Sequence, residues 1–452
     1  MNKAAREMNM TAGEPFSILL RFSLPLLAGN VLQQLYNMVD SSIAGNFIGM
    51  TALSAVSNGY LVVMLITTMF SGLSIGGTIL VAQFYGRGDL EGARRAVNAI
   101  YFGISVLCVP LMLLGVFTAE PLLRLFRVPD VILPDAAVYV RVIFLGLLGG
   151  MGYNINAGIL NGFGDSRTSL RFLAISCVGN LVLDVVFVAV FSWGVFGTAF
   201  ATILAQFVSW FLGTAYINRA YPFLHIGLLN RKDLDLPLVG KALRVGIPSS
   251  IAGLQYTVGM MLLQALINSY SVDFIAGANA GAKIDGFLFM PILSFSSAMS
   301  TFAAQNMGAG LPDRVEKGTR AGLLLTVAVC SGLALILLPL GRPLLRLLFN
   351  LTPEAMDAAM IYLYCVMAPS FWLGVSYILN GTLRGVGCVM LSTLSGVIAL
   401  WVVRVPVAYL LAARFGSNAI FFSYPIGWTV GILISGIFFF SGKWKKKRLL
   451  DD

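Results

Sequence analysis

The pattern Ala82-Gln83-x-x-Gly86-x-Gly88 closes the second long apolar stretch of this chain. It returns 222 residues later as Ala304-Gln305-x-x-Gly308-x-Gly310, again at the end of an apolar stretch. Pro25 has a counterpart in Pro248, and Leu160-Asn161-Gly162 recurs as Leu379-Asn380-Gly381. Self-similarity over so long a period means that one unit has been laid down twice. Any fold must therefore accommodate two like halves, head to tail.

That unit is built for hydrocarbon. Hydrophobic residues make up 58% of the 452, and charged residues only 11%. About 20 apolar residues form a helix that crosses ~30 Å of bilayer. Twelve such spans are legible, at 22–45, 52–80, 97–118, 133–158, 169–191, 195–217, 246–270, 274–302, 319–340, 358–379, 389–411 and 418–441. The runs are continuous rather than alternating, which excludes barrel strands. The expected fold is an all-α integral membrane protein, with twelve transmembrane helices in two six-helix lobes related by the repeat. The first lobe covers 1–217 and the second 246–441. A cytosolic linker occupies 218–245 and a basic tail 442–452. The first span is too long, and lacks a small-residue cleavage site, to be a removed signal peptide.

The net charge of +10 is informative through its placement. Counted from a cytosolic N-terminus, 22 of the 30 Lys and Arg residues fall on the cytosolic side. Only Arg124, Arg127, Arg342, Arg346 and Arg414 fall on the other, while Arg141, Lys283 and Arg404 lie within spans. The excess puts both termini in the cytosol and the chain in the plasma (inner) membrane. The basic surplus is thus topogenic and does not point to nucleic acid. The run from Lys445 to Arg448 reads as a stop-transfer anchor at the lipid surface.

Enzyme chemistry is poorly served. The five cysteines (Cys108, Cys177, Cys330, Cys365, Cys388) lie in or beside spans, an odd number unsuited to a disulfide framework. The single histidine, His225, is in the linker. Transition-metal centres and histidine-based catalysis are accordingly not expected. Gly86-Arg87-Gly88 has no strand before it and is no nucleotide loop, and no other cofactor motif is legible.

Ionisable groups at membrane depth are expensive and usually serve ions or cargo. Asp40 lies in the first span near Asn37. Asp184 lies in the fifth, with Asn180 one turn before it on the same face. Both helices run outward, and both carboxylates fall ~8–10 Å below the outer edge at 1.5 Å per residue. Thr198, Thr202 and Gln206 form a polar stripe on the sixth span, with Thr202 at a similar level. Asp40, Asn180, Asp184 and Thr202 are expected to converge in the first lobe. Two like charges at one depth repel unless a proton or a hard cation lies between them, so the set suits binding of H⁺ or Na⁺. The competing reading is plain hydrogen bonding between helices.

The second lobe does not copy this set: the counterparts of Asp40, Asn180 and Asp184 are Leu263, Ala399 and Val403. It carries Lys283, Asp285 and Arg404 instead. Lys283 and Asp285, two apart, do not face each other on a helix. Arg404 is close enough in depth to pair with Asp285, as a structural ion pair or a cargo site. Gly72-x-x-x-Gly76 and Gly427-x-x-x-Gly431 read as packing seams.

With Pro25, the run Asn37-Met38-Val39-Asp40, the twin Ala-Gln motifs and the 6+6 repeat, the chain resembles the multidrug and toxic compound extrusion (MATE) family over about 15–441. The Asp40, Asn180, Asp184 and Thr202 set resembles its DinF-type branch. The seventh and tenth spans lack the carboxylates of the NorM-type branch. The resemblance implies that Tyr139 and Asn154 join the network and that Pro25 bends during switching. It implies a monomeric secondary antiporter that exports amphiphilic, often cationic compounds in exchange for H⁺ or Na⁺, without a cofactor. The alternative is a flippase or exporter of lipid-linked saccharides or other organic metabolites, for which Lys283 and Arg404 are the only phosphate-binding candidates.

Overall fold

The computed structural model describes residues 8–226, 235–447 and 449–450. Of the cytosolic basic residues counted above, Lys3, Arg6, Arg231, Lys232 and Arg448 lie outside these. The described chain is helical: α1 (Pro15–Ile43), α2 (Met50–Arg87), α3 (Leu90–Leu125), α4 (Leu133–Leu145), α5 (Leu147–Gly162), α6 (Ser166–Asp184), α7 (Gly194–Ala220), α8 (Leu236–Ile267), α9 (Val272–Gly308), α10 (Pro312–Leu348), α11 (Pro353–Tyr362), α12 (Ser370–Gly385), α13 (Val389–Val397), α14 (Val405–Phe415) and α15 (Ser423–Phe440). Fifteen helices make twelve spans because several spans are interrupted. Helices α4 and α5 form one span bent by 51°, and α11 and α12 one bent by 41°. A π-helical segment, Ile398–Arg404, joins α13 to α14, and another, Val185–Val190, prolongs α6. Nine spans among the described residues are individually long and apolar enough to cross a membrane. The two bent pairs add two, and α2, at 38 residues, is the twelfth.

The repeated motifs have like structural jobs in both copies. Gly88 and Gly310 end α2 and follow α9 with φ of 77° and 71°, the left-handed conformation that glycine adopts without a Cβ penalty. The glycines of the two Leu-Asn-Gly motifs admit a neighbouring backbone. A Cβ on Gly162 would stand 3.1 Å from the Thr78 carbonyl oxygen, and one on Gly381 2.6 Å from that of Ser296. So α5 lies close against α2, and α12 against α9.

The chain divides into two compact units: Met1–Asn9 with Ala28–Ser250, and Met10–Leu27 with Ile251–Asp452. The divisions fall inside α1 and α8, just after Pro25 and Pro248. Relative to the lobes expected from the repeat, the units have exchanged the first halves of these helices. Contacts within each unit explain the exchange. In the second, the Met10 N–H donates to Gln305 Oε1 (3.2 Å), and Asn306 Nδ2 (3.1 Å) and Arg314 Nε (3.3 Å) donate to the Met10 carbonyl. In the first, Gly76 fits α2 against the start of α8, where a Cβ would meet Ala242 O at 2.5 Å and Gly246 N at 2.7 Å.

The linker expected over 218–245 is shorter than its sequence suggests. Helix α7 runs to Ala220 and α8 starts at Leu236. Asn218 closes the end of α7, its side chain bonded to both the N–H (2.7 Å) and the carbonyl (3.1 Å) of Ile226. The basic tail is more than a charged end. Trp444 is fully buried and stacks on Phe439 with centroids 5.4 Å apart. Lys445 reaches Glu316 (2.8 Å) and Asp313 (3.1 Å), and these bonds, Glu316 first, hold its ammonium above the usual lysine range.

Candidate functional site

The first unit brings Asp40, Asn180, Asp184 and Thr202 together. Asp40 sits near the end of α1, Asn180 and Asp184 one turn apart on α6, and Thr202 on α7. Asp184 is fully buried and Asn180 nearly so. The Asn180 amide has one orientation in which neither end faces its own kind. Its Nδ2 then donates to Asp184 Oδ2 (2.8 Å) and to the Tyr36 hydroxyl (3.1 Å), and its oxygen accepts from Thr202 Oγ1 (3.2 Å). Thr202 Oγ1 also lies 3.1 Å from the Thr198 carbonyl. Asp184 is the last α-helical residue before the π-helical segment, a widening of the helix often found where function requires a side chain to be re-aimed.

The carboxyl groups of Asp40 and Asp184 are within hydrogen-bonding reach of each other. Two bare unit charges about 4 Å apart repel by on the order of 4 kcal/mol at an effective dielectric of about 20. A hydrogen bond between carboxyl groups in turn requires a proton on one of them. One oxygen of each, Asp40 Oδ1 and Asp184 Oδ1, is buried with no hydrogen-bond partner among the described residues. The arrangement can therefore hold a shared proton, or a small cation between oxygens.

Of the residues implied by resemblance, Tyr139 on α4 is buried and within electrostatic range of both carboxylates. Gly59 on α2 makes room for its ring, since a Cβ there would stand 2.8 Å from Tyr139 Cδ1. Asn154 on α5 donates its amide to the Gly150 carbonyl (2.8 Å), and no described contact joins it to the carboxylates. Asn37 lies three residues before Asp40 on α1. Tyr36 was not anticipated; its signal was its position one helical turn before Asp40, on the same face.

The second unit holds a different cluster. Among the described residues Arg404 and Asp285 form no ion pair, contrary to that reading of their depth. The guanidinium stands over the Tyr424 ring, Cζ 3.4 Å from its centroid, and lies within electrostatic range of the Tyr256 side chain. The Asp285 carboxylate lies within electrostatic range of both Arg404 and Tyr362. Each charge lies near a tyrosine, a partner type that spacing along the chain does not reveal. Lys283 is exposed, its Nζ 5.4 Å from the Phe349 ring centroid. The Leu263 counterpart of Asp40 is core, 1% exposed.

Two like units of six membrane spans, one with a buried carboxylate pair and the other without, define a membrane transporter rather than an enzyme. The MatE family model matches residues 25–186 and again 248–410, and the chain belongs to that family. It is 28% identical to the "Probable multidrug resistance protein YpnP" of Bacillus subtilis, with 98% of this chain and 99% of that protein aligned. It is 27% identical to the "Probable multidrug resistance protein NorM" of Thermotoga maritima, over 96% and 94%. The fold is shared with a solved multidrug resistance MATE family transporter in an outward-facing conformation (TM-score 0.87, 21% identity, 99% of each chain). MATE structures in bent and straight conformations match equally well, each at a TM-score of 0.86, over 96% of both chains and 98% of both chains at 22% and 20% identity.

Proposed function

We propose that this protein is a secondary active antiporter of the plasma membrane. It exports small amphiphilic, often cationic organic compounds in exchange for inward H⁺ or Na⁺. The observation that carries the reading is the contact between Asp40 and Asp184 in one unit only. A carboxyl pair that must gain a proton or cation to stay together, and must lose it to open, couples ion occupancy to conformation. The Asn180 amide directs its N–H groups toward the carboxylate and Tyr36, which suits a proton better than a cation ringed by oxygens. Placement of the pair in the first unit supports the DinF-type branch, and the names of the Bacillus and Thermotoga relatives support drugs as cargo.

The test is dye uptake by everted membrane vesicles carrying the protein, with pH and Na⁺ gradients imposed separately. A pH gradient alone is expected to drive uptake of a cationic dye into the vesicles. Drive by Na⁺ alone would transfer the coupling to that ion, and drive by neither would refute antiport.

A further inference from the structure

We propose that the second unit holds a binding seat for an oxyanion, a carboxylate or phosphate carried on an apolar body, with Arg404 as its anchor. This inference does not rest on the coupling assigned to the Asp40 pair.

Arg404 is 4% exposed, yet its Nε and Nη2 have no hydrogen-bond partner among the described residues. A guanidinium is always charged, and leaving two of its N–H groups dry is costly enough that a chain retains it only for a purpose. The seat is shaped around it. Gly427 on α15 has no Cβ because one would stand 2.9 Å from Arg404 Cβ, so the packing seam Gly427-x-x-x-Gly431 also clears a path for this side chain. Tyr424 lies against the guanidinium, its ring centroid 3.4 Å from Cζ, and the Tyr256 side chain lies within electrostatic range. The Nε–Nη2 edge left over is a fork of two parallel donors, the geometry that a carboxylate or phosphate matches with two oxygens. Asp285 does not fill it: the carboxylate is within electrostatic range, yet Nε and Nη2 have no hydrogen-bond partner among the described residues.

The repeat sets the two clusters side by side. Asp184 corresponds to Val403, and Arg404 is the next residue. Equivalent helices thus each bear a buried charge one position apart, Asp184 just before a π-helical segment and Arg404 at the end of one. The sign is reversed: the first unit presents carboxylates, the second a guanidinium. Tyr256 and Asp285 are only half-buried, so the cluster is not sealed.

The probe is 11-(dansylamino)undecanoic acid, with its methyl ester as the neutral twin. Binding is read by dansyl fluorescence on the full-length protein in phosphatidylcholine nanodiscs. The acid is expected to bind more tightly than the ester. Arg404→Gln should weaken the acid by on the order of tenfold to a hundredfold, as expected for a buried charge-assisted pair, and leave the ester unchanged. Asp285→Asn should tighten the acid about threefold or more, because it removes a nearby like charge. A gain in affinity cannot come from misfolding. Equal binding of acid and ester, or an equal loss in both variants, would overturn the proposal. Adding phosphatidylglycerol to the discs separates two sources of the same chemistry. Competition marks the natural occupant as an acidic lipid headgroup, and undiminished binding marks it as an acidic cargo.

Discussion

At the scale of single residues, the Asp40–Asp184 contact makes a sharp claim. If the pair holds one shared ion, removing either carboxylate disables the same device. Asp40→Asn and Asp184→Asn should each abolish coupled efflux, and the double variant should be little worse than either. Efflux normalised to folded protein across a pH series decides this. Losses in log rate that simply add, or normal transport by Asp184→Asn, would leave Asp40 as the only coupling residue. The carboxylates, Asn180 and Thr202 were legible because charged and amide side chains stand out in apolar spans, and a rise of 1.5 Å per residue sets their depth. Tyr36 was not, because a tyrosine in a membrane helix reads as ordinary apolar mass until a hydroxyl partner is seen. Arg404 failed as a predicted ion pair for a related reason. Its stacking on Tyr424 joins residues on different helices, and depth alone cannot choose between a carboxylate and a ring.

At the scale of elements, helices follow from the need to satisfy every backbone group inside the bilayer, so the spans could be read off as continuous apolar runs. The interruptions could not. A break at Gly146 or before Ser370 changes no residue's hydropathy, and α2 and α3 extend beyond their apolar cores. The small-residue seams were legible as seams but not by partner. Gly72 and Gly76 seat α2 against the first half of α8. Gly76→Leu should force the helices apart and cost roughly 1–3 kcal/mol or more through overpacking. Gly179→Leu, where nothing lies within 4 Å of the added carbon, should cost little. Thermal unfolding followed by fluorescence-detected size exclusion would show the contrast. Equal loss in both would mean that the seam carries no special packing. Trp444→Ala, emptying a fully buried site beneath the tail, should cost about 3–5 kcal/mol in the same assay.

At the scale of the whole molecule, the charge distribution predicts cytosolic termini. In a background without native cysteines, Thr352→Cys in intact cells should react with an impermeant thiol reagent and Asp313→Cys should not; the reverse pattern would invert the topology. The repeat revealed two halves, yet it could not reveal that the compact units trade the beginnings of α1 and α8, since that depends on what Met10 and Gly76 touch. The trade sets an order of events during synthesis. Residues 10–27 emerge from the ribosome long before Gln305, Asn306 and Arg314, the groups that receive them, have been made. The first unit, for its part, stays unfinished until residue 250 has been translated. Neither half of the sequence holds a complete unit, and the segment 10–27 must wait for most of the chain. Fragments 1–226 and 235–452 expressed separately should accordingly be degraded, and their co-expression should restore a stable, transporting pair. Persistence of either fragment as a stable protein by itself would show that the early half-helix finds a resting place without its late receptor.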